Sequence, residues 1–313
     1  MRLPAFDRKL LRGLLPALSL ALVLGATFWV QPRTMSYFGL NLMLQYTVPI
    51  ALATLAQMFV ITVNDLDLSI GSFVGLVACI AGTWLYDEPL IGGLALVLCV
   101  AAYAAVGALI HLRNLPSIVV TLGMSFVWLG LAVLLLPTPG GHAPGWIRTL
   151  MGLHVPGVPF PIAAAVVIAV IVQFGLMHSS FGVIFRGAGG NPKAVMRAGW
   201  SLLKIKVIMF TMAGIFGVLS GLSLIGLTTS ADAHIADRYT LFSVAGVILG
   251  GGEFVGGRVS PIGAILGAMT LTLAGSFLIF MRISPDWQIG AQGTILIAVL
   301  ALRAVVGSRE ARA

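Results

Sequence analysis

Apolar residues fill the chain in long runs, and polar residues gather in short stretches between them. A membrane-spanning helix needs roughly 20 mostly apolar residues. Runs of that kind, bounded by charges, prolines or turn residues, lie near 14–31, 41–63, 68–86, 90–111, 116–136, 160–178, 206–229, 239–252, 261–281 and 287–304. The pattern predicts an all-α polytopic membrane protein with about ten transmembrane helices. The eighth run is short and ends in Gly250-Gly251-Gly252, so it fits a broken or re-entrant segment as well as a full crossing. No low-complexity tract or soluble-type domain interrupts the series, and residues 1–313 read as a single transmembrane domain.

Composition removes the soluble alternative. The 313 residues are 59% hydrophobic and 9% charged, where a soluble domain carries about 25% charged residues. The charges that remain are unevenly placed. With the N-terminus inside, the inner loops hold Arg2, Arg8, Lys9, Arg12, Arg113, Arg186, Lys193, Arg197, Lys204, Lys206, Arg258, Arg303, Arg309 and Arg312; the outer loops hold Arg33, Arg148, Arg238 and Arg282. Cytoplasmic loops carry the excess of Lys and Arg, which puts both termini in the cytoplasm. The net charge of +8 is then accounted for by contact with anionic lipid headgroups of the bilayer and calls for no nucleic acid. The basic start of the chain resembles a signal peptide, but Gln31-Pro32-Arg33 after Val30 is no small-residue cleavage site, so the first run is expected to remain as a helix. Cys79 and Cys99 lie in separate apolar runs without metal-ligand spacing, and neither a disulfide framework nor a metal site is expected.

Two loops are long. The outer stretch 137–159 is rich in Pro and Gly and carries Trp146, a residue suited to the membrane interface. The inner stretch 179–206 can hold structure of its own. Asn191 is a good N-cap, Pro192 suits the first helical position and Gly199 can end a helix in the left-handed conformation, which predicts a two-turn helix over 192–198. Lys193 and Arg197 then share a face. On these residues alone, a plain connector obeying the charge rule and a rigid knob for another protein to grip are equally good readings.

The motifs bear on that choice. Phe181-Gly182 and the stretch Arg186 to Gly199, with Gly190, Asn191, Pro192, Lys193, Ala194, Arg197 and Gly199, resemble the coupling loop of the ribose, xylose and galactose type of bacterial ABC permeases. Asp67-Leu68-Ser69-Ile70-Gly71-Ser72 resembles that family's Asp-Leu-Ser-Val-Gly-Ser signature. Asn114 to Gly123 is similar to its Pro-x-Ile-Val-Thr-Leu-Gly stretch, and Tyr239 to Gly263 to its late glycine pattern. Asp67 or Ser69 is expected to cap the third helix, and Gly71 to allow close helix approach. Where the family usually has two glycines this chain has Asn64-Asp65. Asp65 then either reaches water on the inner face or lines the solute path. Lys193 and Trp200 also depart from the family, which more often has an acidic and an aliphatic residue there.

The resemblance implies an ATP-driven importer of a sugar or sugar-like solute in the bacterial inner membrane. Its implied partners are cytoplasmic ABC ATPase subunits, a periplasmic solute-binding protein and a second permease subunit, with ATP and Mg bound by the ATPase and no cofactor on this chain. No GxxxxGK[ST] motif occurs, so this chain is expected to be a translocation subunit without catalytic residues. Candidate path residues are Gln45, Gln57, Asn64, Asp67, Ser69 and Ser220, with Thr47, Thr211 and Ser223 beside them. Asp87, Glu88, Arg148, Asp232, Asp237 and Arg238 are candidates for meeting the binding protein. The competing reading is an ion-coupled secondary carrier, which would need acids or histidines inside its helices as relays. A membrane enzyme is disfavoured because His111, His142, His154, His178 and His234 are scattered over both sides.

Overall fold

The computed structural model describes residues 8–283 together with 287, 290, 293 and 294, with side chains from Leu14 onward. Among the described residues every regular element is a helix, and Gly140 and Ala231 form an isolated antiparallel bridge. Helix α1 spans Arg8–Val30, followed by a 3-10 turn, Pro32–Met35; α2 (Tyr37–Leu44) and α3 (Thr47–Thr62) form one path bent by 41°. Then come α4 (Ile70–Gly82), α5 (Trp84–Asp87), α6 (Pro89–Leu112), α7 (Ser117–Leu135) and α8 (Gly145–Met151). The remainder is α9 (Phe160–Val170) with a π-helical extension Ile171–Met177, α10 (Ser180–Gly190), α11 (Pro192–Arg197), α12 (Leu202–Thr228), α13 (Tyr239–Leu249) and α14 (Pro261–Phe280).

Six segments are long and apolar enough to cross a bilayer, and the bent α2–α3 pair makes seven. The described part of the first run, Leu14–Val30, and α13 are apolar but shorter. The tenth predicted run, 287–304, lies outside the described residues apart from four positions. The eighth run resolves as a short helix: α13 has 11 residues, about 16 Å at 1.5 Å per residue, and stops at the glycine run.

Helices α3, α4 and α12 are the centre. Every residue of α3 is buried, and α12 packs along α3, α4 and α6. Helix α7 shows why the outer helices read as apolar all round. Ser117, Thr121, Trp128 and Ala132 form its one buried stripe, at helical spacing, while Val119, Phe126 and Leu134 stand outward. A bilayer solvates that outward face, so the sequence needs no polar stripe there. Leu90 and Leu134 are 89% and 81% exposed.

Several non-helical stretches gather at the two ends of the bundle, while 67–69 and 231–236 run inside it. At one end lie residues 63–66, the loop joining α6 to α7, the α10–α11 segment, the foot of α12 and the turn at Gly256-Gly257, as their mutual contacts show. At the other end, Gly140–Ala143 meets Gly82, Thr229 and Ala231 through backbone hydrogen bonds. Helix α8 packs against the α12 end there, with Ile147 beside Gly226.

Candidate functional site

Three features carry polar groups into this apolar frame. The first is the corner between α3 and α4. Residues 63–69 leave the helix, so their backbone groups need partners that water in the bilayer core does not supply. Side chains from neighbouring helices provide them. The Leu66 N–H donates to Ser117 Oγ at 3.1 Å and the Leu68 N–H to Thr121 Oγ1 at 3.0 Å. The Gln57 amide, oriented to satisfy both groups, donates to the Asp67 carbonyl at 2.9 Å and accepts from the Asp67 N–H at 3.2 Å.

Asp67 itself is 1% exposed. One carboxylate oxygen accepts from the Ser69 N–H and the Ser69 hydroxyl, both at 2.7 Å; the other accepts from the Tyr103 hydroxyl at 2.6 Å. Tyr103 is held in turn by Phe73 and Trp128, with ring centroids 4.4 and 6.0 Å away. The expected capping of α4 by Asp67 or Ser69 is corrected here. Neither bonds an N–H inside α4, because the Asp67 carboxylate turns back on the Ser69 N–H and towards α6. Instead the Gly71 N–H donates to Thr240 Oγ1 on α13 at 3.0 Å, a cap supplied by another helix.

The second feature is the corner between α12 and α13. Residues 231–236 run along α4, with Ala231, Ala233 and Ala236 buried against it. The fit depends on Gly71 and Gly75, one turn apart: a Cβ on Gly71 would stand 2.7 Å from the Ala236 carbonyl oxygen, and one on Gly75 2.6 Å from that of Ala233. The expected close approach at Gly71 is therefore to an irregular segment as well as to α13. His234 and Asp237 pair at 2.9 Å and are exposed. They border a cavity of about 670 Å³ between α3, α12, α13 and α14, whose polar lining includes Tyr46, Thr228, Arg238, Thr272 and Ser276.

The third feature is the α10–α11 knob. Asn191 Oδ1 accepts from the Ala194 N–H at 3.1 Å, and Pro192 holds the first helical position. Gly199 has φ +87°, the Gly199 N–H donates to the Met196 carbonyl and the Trp200 N–H to the Val195 carbonyl. That pair of bonds is a Schellman motif, which satisfies the last carbonyls of so short a helix. Lys193, Met196 and Arg197 are exposed, and Trp200 meets Phe181 edge-on at 6.1 Å, bracing α11 against α10.

The structure separates the sequence candidates. Gly190, Asn191, Pro192, Lys193, Ala194, Arg197 and Gly199 come together as the knob. Gln57, Asp67 and Ser69 meet in the α3–α4 corner, and Ser220 bonds the Pro49 carbonyl at 2.7 Å, tying α12 to α3. Thr47 and Ser223 are buried and Thr211 bonds its own helix. Gln45 is half-buried and is not among the cavity-lining residues, although its neighbour Tyr46 is. Asp65 lies at the knob end, pairs with Lys206 at 2.8 Å and is 10% exposed. Asp87, Glu88 and Arg148 are exposed at the end opposite the knob, Asp237 and Arg238 are exposed beside the cavity, and Asp232 is half-buried. Tyr103 and Thr240 were not legible as functional positions. A lone tyrosine in an apolar run was the available signal for Tyr103, and nothing local marked Thr240.

Residues 39–300 match the family described as branched-chain amino acid transport system / permease component. The chain is 26% identical over 296 residues to the ribose import permease protein RbsC of Escherichia coli (strain K12), covering 90% of this chain and 91% of that protein. It is 28% identical over 278 residues to the autoinducer 2 import system permease protein LsrC of Escherichia coli O9:H4 (strain HS), covering 87% and 78%. To the probable ABC transporter permease protein YphD of Escherichia coli (strain K12) it is 26% identical over 270 residues, covering 84% and 81%. No solved structure matches the chain.

Proposed function

Since the chain belongs to the branched-chain amino acid transport system / permease component family, we propose that it is the membrane-spanning permease subunit of an ATP-driven ABC importer for a sugar or sugar-like solute. The observation that carries the reading is the match over nearly the whole chain to relatives named as ribose and autoinducer 2 import permeases. An ion-coupled carrier is set aside by the same family assignment.

In this reading about ten helices cross the inner membrane with both termini in the cytoplasm, and the knob of α10 and α11 faces the cytoplasm. Its exposed Lys193, Met196 and Arg197 give a partner ATPase a rigid, mixed apolar and basic surface. The solute-binding protein docks at the opposite end, near Asp87, Glu88, Arg148 and Asp237. A second permease subunit completes the path.

The solute enters by the cavity at the α12–α13 corner. Its tyrosine, threonine and serine hydroxyls, with Asp237 and Arg238 beside them, match the hydrogen-bonding capacity of a polyhydroxylated solute. Gln57, Asp67, Ser69 and Ser220 are sealed in this state and meet solute when α3 and α12 part. Binding and release of ATP shift the population between inward- and outward-open arrangements, so the chain's contribution is differential affinity between states. The short α4 and α13, meeting at their N-termini, are the broken-helix elements that such a rearrangement uses.

The test is uptake in liposomes containing this chain, its ATPase and its binding protein, offered labelled ribose and other pentoses, hexoses and polyols. ATP-dependent uptake that needs all three proteins is expected. Uptake by this chain alone on a proton or sodium gradient would overturn the reading.

A further inference from the structure

Asn64 is one of four non-glycine residues with positive φ among the described residues, at +61°. Asn is among the few side chains that tolerate that conformation. The turn throws its amide into a gap between three chain segments. Nδ2 donates to the Gly189 carbonyl at 2.8 Å, just before the α10–α11 joint, and Oδ1 accepts from the Gly256 N–H at 3.0 Å, in the connector leading to α14. The next residue, Asp65, holds Lys206 Nζ at 2.8 Å, near the foot of α12.

Gly189 lies in the last turn of α10, inside the knob, and Lys206 lies beyond the knob, near the foot of α12. Two adjacent residues of the α3–α4 corner thus hold the knob and the helix that follows it, just before the buried Asp67. The grip is tight: a Cβ on Gly189 would stand 2.2 Å from the Thr62 carbonyl oxygen and 2.8 Å from the Gly257 Cα. Movement of α10 therefore cannot be absorbed by slack at this joint and must displace the end of α3, the 256–257 turn, or both.

We propose that Asn64 and Asp65 are positioning residues that transmit displacement of the α10–α11 knob to the α3–α4 corner, and so link ATP-driven motion to the broken helices. The proposal rests on the reading of the knob as the ATPase contact.

The experiment uses the chain in nanodiscs with its ATPase, with the binding protein added as purified. ATPase association and the stimulation of ATP hydrolysis by the binding protein are both measured. Asn64→Ala is expected to keep the ATPase bound and to lower the stimulation about fivefold or more, and Asn64→Ala with Asp65→Asn to abolish it. Asp65→Asn alone preserves shape and is expected to give an intermediate loss, so the proposal stays testable should Asn64→Ala fail to yield a monodisperse protein. Undiminished stimulation in these variants overturns the proposal. Loss of ATPase association in them overturns it too, because the residues would then merely shape the knob. Gly199→Pro separates the premise: it is expected to abolish association, and if it does not, the knob is not the contact and the proposal falls with it.

Discussion

The corner between α3 and α4 draws side chains from α3, α6 and α7 around an irregular backbone, whereas the corner between α12 and α13 leaves His234 and Asp237 facing outward beside a cavity. Both lead into a short apolar helix, and the two helices meet where Thr240 caps α4. The difference lies in who solvates the polar groups. In the first corner the protein does, so each group is specified by a named partner. In the second, water can do so, and the local pairs are His234 with Asp237 and the His234 N–H with Asp232.

That contrast makes graded predictions, each read from unfolding temperature and monodispersity in detergent. The largest effect is expected from Gly71→Val, which forces a branched side chain against the Ala236 carbonyl and Thr240; a loss of about 3 kcal/mol or more should prevent recovery of folded protein. Tyr103→Phe removes one donor from the buried Asp67 carboxylate and should destabilise by about 1–3 kcal/mol. Thr240→Val keeps shape but deletes the cap on Gly71, with an expected loss of about 1 kcal/mol. Asp237→Asn, on the open corner, should change stability by less than about 1 kcal/mol, as an exposed pair contributes little. A loss from Asp237→Asn equal to that from Tyr103→Phe would show that the second corner is sealed like the first.

The knob was the most legible part of the candidate site. Asn191, Pro192 and Gly199 act through bonds to residues at most five positions away, so the motif contains its own geometry. The signature around Asp67 was legible as a motif but not in its workings. Asp67 turned to Tyr103, 36 residues on, and the cap of α4 came from a residue 169 positions after Gly71. Ser260 and Pro261, by contrast, begin α14 as cap and first residue, because that bond to the Gly263 N–H is local.

The sequence by itself determined that the chain is a helical membrane protein, where its apolar runs lie, and which short loop helix would form, because bilayer thickness and capping act over a turn or a single run. Tertiary structure alone decided which polar groups would share a site. In an apolar medium an exposed backbone or carboxylate group must find its partner inside the protein, and that partner is chosen by how the helices pack, which local sequence does not encode.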